Sequence, residues 1–414
     1  MLIGREELER LHERFPYPRF SKAEYERRYN NIRKMMDEQR LDCLLIIGGS
    51  AAYGRLWFNI RYVTNMIGKA EMANYCFFPK DGDPCLIARA GHSLSGGMLA
   101  RTVVRDVIVG SPNLLTAIVN TITERGYANG RIGIVEYDPF TSIPKNHWDF
   151  LVSNLPKAEF VFVTKEFLAL RLIKSNEEIQ ALERSAELGD AGIQALAERL
   201  RPGMTEGEAF GIVHEAVLRK GGEMGMVQLA SASMLHPDIN DQRPRPVERV
   251  IGPRDIINNE LGIFYNGYEA QTGKPLVTGS PTAEFQEMFD VVLAGYNRVS
   301  ATLYPGKSSA DSISAAQVIE EAGYDLYGSF LQGMLGSNPR HEPQISPDPL
   351  RRAEDGFLHD GTGKLVYQAG MVFTLQMHIV DKQKIRGLFL ADTFAIQTTG
   401  PKCLNKFPPQ LIQI

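Results

Sequence analysis

The chain writes the same helix start twice in close succession: Ser175 with Glu178, then Thr205 with Glu208. At that spacing the hydroxyl caps the third amide of the helix and the glutamate reaches back to the capping residue, so two orphan donors are satisfied together. After the first start, Ile179, Leu182, Ala186, Ile193 and Leu196 recur at helical spacing with Gly189 on the same face, and the run stops at Arg201, Pro202 and Gly203. A long helix with one apolar stripe has to lie on something. Strand-like runs follow near 228–233 and 255–265, and NNELGIFYNGYEAQTGKPLVTGSP (258–281) reads as strand, turn and strand. Helices over 281–303 and 308–323 and strands over 371–380 and 388–398 complete a layered second half. Stretches rich in Pro, Asp and Arg at 237–254 and 337–352 read as long loops, a length that in a compact domain usually serves function.

The first half has a different rhythm. Ser21 and Glu24 open an amphipathic helix that leads into the apolar run Leu44 to Ile47. The short runs YCFFP, PCLIA, RDVIVG, RIGIVEYD and EFVFVT follow, separated by Gly, Pro and Asp turns and by a helical stretch around Leu114 to Arg125. This predicts an α/β domain over 1–167 and a second domain over 168–414. A chain of 414 residues that is 43% hydrophobic can fill two cores.

A net charge of −4 leaves no concentrated basic face, which argues against nucleic acid and anionic membrane as partners and for a small-molecule substrate. Cys43, Cys76, Cys85 and Cys403 form no CxxC pair, and the first three lie in apolar stretches, so they are expected to be reduced core residues of a cytoplasmic protein. The N-terminal MLIGREELERLHERF lacks the apolar core of a signal peptide, and no apolar run reaches transmembrane length.

Several motifs in order resemble the pita-bread family of creatinase, prolidase and Xaa-Pro aminopeptidase. LRLIKSNEEIQALERSAEL with LRPGMTEGEA is similar to the start of the family's catalytic domain, and RDIINNELGIFYNGYEAQTGKPLVTGSP to its metal-binding hairpin. LQGMLGSNPRHEP resembles the segment that carries its histidines, and AGMVFTLQMHIV and LFLADTFAIQTTG its last two strands. The resemblance implies an α/β N-terminal domain, an α+β pita-bread C-terminal domain and a homodimer.

The metallopeptidase members hold two metal ions with two aspartates, a histidine and two glutamates. Carried over position by position, these fall on Glu260, Gln271, Gln332, Gln376 and Ala391. Divalent ions need charged oxygens or imidazole to offset lost hydration, so the expectation is no metal and no other cofactor. Rescue by His378 or Asp392 is weighed and set aside: alternation keeps His378 on the Gln376 face and turns Asp392 away from the face of residue 391. Creatinase has this fold without a catalytic metal and hydrolyses a C–N bond, and the ectoine hydrolase branch carries a glutamate at the first aspartate position, where Glu260 stands. The expected function is a metal-independent hydrolase of the creatinase type acting on an amide, amidine or guanidino compound. Glu260 would act as general base or nucleophile, with its pKa raised by desolvation. His341 or His236 would carry the proton, although the creatinase spacing counted back from Asp255 lands on Arg243, which would then read a carboxylate. Gln271, Gln332 and Gln376 would orient substrate or water, with His378, Tyr268, Glu342, Trp57 and, lower in rank, His92 beside them. Gly273 stands where creatinase carries a further glutamate, which makes creatine a poor substrate. The alternatives are an Xaa-Pro peptidase-like metallohydrolase with a degenerate site and a non-catalytic binding protein.

Overall fold

The computed structural model describes residues 4–48, 58–66, 74–88, 99–109, 113–136, 143–238, 241–334, 343–347 and 364–414. The described residues divide into two units, those up to Arg171 and those from Leu172 onward.

In the first unit, β1 (Cys43–Gly48), β2 (Asn74–Pro79), β3 (Cys85–Ala88), β4 (Asp106–Val109), β5 (Arg131–Val135) and β6 (Glu159–Phe162) form one sheet in the order β4-β3-β2-β1-β5-β6. The run Leu44 to Ile47 is apolar throughout because β1 is covered on both faces. Leu44 and Ile46 join a core with Ile32, Met35 and Met36 of α1 (Lys22–Glu38), and Leu45 and Ile47 join another with Ile118 and Ile122 of α2 (Leu114–Glu124). Ser21 Oγ accepts from the Glu24 amide at 3.1 Å, as the spacing predicted.

The second unit opens with α3 (Asn176–Arg199) and α4 (Glu206–Arg219), and both predicted capping boxes are formed. β7 (Glu223–Ser233), β8 (Asp255–Tyr265), β9 (Tyr268–Thr272), β10 (Leu276–Val277) and, from the end of the chain, Ile412–Gln413 make one sheet. α5 (Ala283–Ser300) follows. β11 (Asp325–Leu326), β12 (Leu331–Gly333), β13 (Gln344–Ile345), β14 (Val372–Val380), β15 (Gly387–Gln397) and β16 (Gly400–Cys403) make the other. Apart from the parallel contact of Leu276–Val277 with Ile412–Gln413, every strand pairing among the described residues of this unit is antiparallel. The expected classes, α/β followed by helices on antiparallel sheet, are therefore those observed. No helix among the described residues is long and apolar enough to cross a membrane.

Two contacts position the hairpin β8–β9. From one side α3 lies directly on it, because a Cβ on Gly189 would already sit 3.0 Å from Thr272 and one on Gly192 3.1 Å from Leu261. Gly189 is thus a packing residue, where the sequence showed only a small loss of helix propensity. At its far end, Gly273 and Ala391 exchange backbone hydrogen bonds of 3.0 and 2.9 Å and join the two sheets. A Cβ on Gly273 would meet the Asn259 carbonyl and the Phe389 ring at 2.5 Å. Gly273→Ala is therefore expected to lower stability by about 1–3 kcal/mol, the usual cost of overpacking; an unchanged calorimetric midpoint would show that the junction yields freely.

Candidate active site

Alternation along β8 and β9 divides their side chains into two sets. Leu261, Ile263, Tyr268, Ala270 and Thr272 face α3, while Glu260, Gly262, Glu269 and Gln271 face the opposite way. Register then carries Glu260 across both sheets: it stands opposite Gln228 on β7, and beyond β9 the bridge Gly273–Ala391 continues to Gln376, which pairs with Ala391 on β14. Gln332 on β12 pairs with Thr374, two residues from Gln376 and so on its face. The positions onto which the resemblance carries the family's metal ligands thus share one face.

Glu260 is 8% exposed, and its Oε2 accepts from Gln228 Nε2 at 3.2 Å and Gln242 Nε2 at 3.0 Å. Gln242 comes from the loop between β7 and β8. Its neighbour Asp241 places a carboxylate oxygen 3.8 Å from His378 Nδ1, so two consecutive loop residues approach Glu260 on β8 and His378 on β14. His378 is buried, edge-on to the rings of Tyr327 and Phe389.

Gln271 is 1% exposed, and neither its Nε2 nor its Oε1 has a hydrogen-bond partner among the described residues. Its backbone is held on both sides by Thr393 Oγ1. Gln376 donates from Nε2 to the Ser329 carbonyl at 2.9 Å, and its Oε1 is buried without a partner, as is Gln242 Oε1. Unpaired polar atoms shielded from water are costly, and three of these glutamines carry them.

The donor set does not fit a dinuclear metal centre. Among the described residues, no group of three or more His, Cys, Asp or Glu is placed to hold a metal ion, and the positions carried over from the resemblance offer one carboxylate, three amides and a methyl group. Asp392, as expected from alternation, points to the other side. There Lys274 Nζ binds it at 2.6 Å and also bonds the Ala391 carbonyl and Thr272 Oγ1, and Tyr296 donates to it at 2.7 Å. Burial pushes the Asp392 carboxyl up while Lys274 and Tyr296 pull the other way. The Tyr296 hydroxyl is raised by burial and by that carboxylate, which keeps it a donor.

Two expectations need correction. Tyr268 belongs to the set facing α3 and donates to Glu178 Oε1 at 2.5 Å, so it anchors the helix start instead of lining the site. Arg243 holds Glu206 at 2.6 and 2.8 Å, and Ser231 and Val247 donate to the same carboxylate. Burial pushes the Glu206 carboxyl up, but these donors outweigh it and hold it below the usual value. The guanidinium therefore reads a carboxylate of its own chain. His236 is exposed three residues beyond the end of β7, whose last residue, Ser233, pairs with Asp255, five positions along β8 from Glu260. Trp57, His92, His341 and Glu342 lie outside the described residues.

Glu269 went unnoticed in the sequence. It is fully buried on the Gln271 face, and its carboxylate occupies the space a Cβ on Gly262 would need. The signal was there in the form of a charged residue inside a strand otherwise buried, beside a glycine in the partner strand.

The sequence matches metallopeptidase family M24 over residues 180–398, just over half of the chain. The chain belongs to that family. Its curated relatives include an uncharacterized hydrolase/peptidase of Sinorhizobium fredii, 26% identical over 95% of this chain and 98% of the relative, and an Xaa-Pro dipeptidase of Pyrococcus furiosus, 28% identical over 61% and 69%. Among solved structures, the recombinant prolidase of Thermococcus sibiricus superposes with a TM-score of 0.76 at 20% identity, covering 96% of this chain and all of that one. The family match fixes the M24 assignment and the structural likeness the two-domain pita-bread fold, and the relatives and neighbours are named as peptidases or hydrolases.

Proposed function

We propose that this M24 protein hydrolyses a C–N bond in a small, dipeptide-sized molecule, with Glu260 in place of the metal ions that the family name implies. The observation that carries this reading is the buried Glu260, held by two amide donors in a row whose other positions carried over from the resemblance are neutral. As general base, Glu260 takes a proton from water while the water oxygen attacks the substrate carbon; the C–N bond then breaks as that proton passes from Glu260 to the leaving nitrogen, which restores the carboxylate. Gln271 Nε2, which has no partner among the described residues, supplies a donor for the substrate oxygen that gains charge. The names of the relatives move the reading towards peptidase-like amides and away from creatinase, which supports amide bonds as the first substrates to try. A small-molecule substrate, a homodimer and a cytoplasmic location form part of the same proposal.

A second reading is a metallohydrolase of the Xaa-Pro dipeptidase type, favoured by the relatives' names. Elemental analysis separates the two. Substoichiometric Mn, Co, Zn and Fe with turnover that survives chelation is the expected outcome; one equivalent of metal with turnover lost to chelator would establish the second reading.

A further inference from the structure

Gln242 and Arg243 are consecutive, and the segment that carries them runs along the edge of β7, which ends its sheet among the described residues. The Leu229 amide donates to the Arg243 carbonyl at 2.9 Å, so the loop backbone is fastened to that edge. From there the two side chains part. Gln242 Nε2 reaches Glu260 Oε2 at 3.0 Å, on the face of β7 that carries Gln228. Arg243 Nη2 reaches Glu206, which belongs to the other face, because Ser231, an odd number of residues from Gln228, donates to that carboxylate from both its amide and its hydroxyl. Glu206 is the first residue of α4 and is fully buried, and Val247, further along the same loop, donates to it as well. Arg243 thus grips, behind the sheet, a carboxylate fixed to both β7 and α4, while its neighbour holds Glu260 in front.

The far end of the loop is fastened separately. The Glu206 amide donates to the Arg249 carbonyl at 3.1 Å, the Ile251 amide to the Met204 carbonyl at 2.8 Å and the Gly203 amide to the Ile251 carbonyl at 2.8 Å. Loss of the Arg243 side chain therefore loosens the stretch next to Gln242 without releasing the loop as a whole.

We infer that Arg243 is a positioning residue, whose grip on Glu206 sets the path of the loop so that Gln242 keeps the Glu260 carboxylate oriented for reaction. The inference rests on the proposed hydrolase reading and deepens it. A donor carried on a loop is held less firmly than one on a strand, and a catalytic group that drifts loses its alignment with the reacting atoms. The clamp supplies what the loop lacks. Both contacts to Glu206 are made by one nitrogen, Nη2, at 2.6 and 2.8 Å, so a lysine ammonium can take its place.

The test uses the full chain. NMR on 15N-labelled protein follows the Gln242 side-chain amide, identified by its loss in Gln242→Leu. Its protons are expected to exchange about 10-fold faster or more in Arg243→Met, as the bond to a charged acceptor is lost. They should exchange at close to the native rate in Arg243→Lys, and the backbone amides of Glu260 and Leu261 should keep their protection in both. With a substrate in hand, Arg243→Met should lower kcat by about 10–100-fold with little change in KM, the cost of a displaced catalytic group, and Arg243→Lys should restore most of it. Combined with Gln242→Leu, Arg243→Met should add no further loss, because both variants act on one contact. Should Arg243→Met not fold, Arg243→Gln, shorter but still a donor, replaces it in the same measurements. Native exchange at Gln242 without the arginine, a lysine variant as impaired as the methionine one, or losses that multiply in the double variant overturns the inference. The exchange measurement needs no substrate. Absence of turnover with every compound tried would sink the hydrolase reading and leave exchange to decide the clamp, whereas Glu260-dependent turnover that survives Arg243→Met intact would sink this inference alone.

Discussion

Glu260→Gln is expected to reduce turnover by about 10²–10⁴-fold, the range by which a positioned acid or base contributes to rate. The substitution keeps the shape of the side chain, and its amide oxygen still accepts from Gln228 and Gln242, so the thermal midpoint should stay within a few degrees. The comparison that gives this result meaning is Glu269→Gln, which removes the neighbouring carboxylate on the same face. If Glu260 is the base, its loss is felt in kcat, while loss of Glu269 leaves the base in place. Retention of more than about a tenth of wild-type kcat in Glu260→Gln would exclude Glu260 as base and nucleophile alike. Single-turnover kinetics on the native chain then divide those two roles, because a carboxylate that attacks carbon leaves a covalent intermediate with a burst of the first product. Substrates should be drawn from small amides first, then amidines and guanidino compounds, with the glutamine variant as blank.

Much of this architecture could be read from local patterns. The capping boxes at Ser175 and Thr205 and the apolar stripe of α3 are local signals, and each is realised within a turn or two of where the pattern places it. The alternation that turned Asp392 away from the site was likewise a property of one strand. What escaped notice depended on partners distant in sequence. Tyr268 looked like a residue lining the pocket until the register of the hairpin placed it on the α3 face, 90 residues along the chain from its partner Glu178. Arg243 was legible as a carboxylate reader but not as a reader of Glu206, since that requires the loop after β7 to fold back over the start of α4. Gln242 carried no signal at all: an amide in a polar loop becomes a ligand of Glu260 only through the path of that loop. Glu269 did carry one, but a charged residue in a short strand is read as facing solvent unless the strand is known to be covered on both faces.

Lys274→Met is expected to destabilise the second unit by about 3–5 kcal/mol, because it leaves the Asp392 carboxylate in a dry interior without its cation. Both partners are essentially unexposed, at 0% and 1% of their side-chain surfaces, so solvent cannot take over the role of the ammonium. For a unit of this size the loss should appear as a fall of about 10 °C in its calorimetric midpoint. Two further consequences separate the buried pair from a generic packing defect. Pairing Lys274→Met with Asp392→Leu removes both charges and should recover most of the stability, since a buried ion pair and an apolar pair of similar volume are often close in energy. Activity should not recover with it. Lys274 Nζ also holds the Ala391 carbonyl, and Ala391 is the residue that Gly273 binds to join the two sheets. Without that contact the row from Glu260 through Gly273 and Ala391 to Gln376 loses a fixed point midway, so the double variant should be stable yet impaired in binding. A double variant that regains both stability and full affinity would mean that the Gly273–Ala391 backbone bonds alone set the spacing of the site, and that the ion pair beneath them serves only the fold.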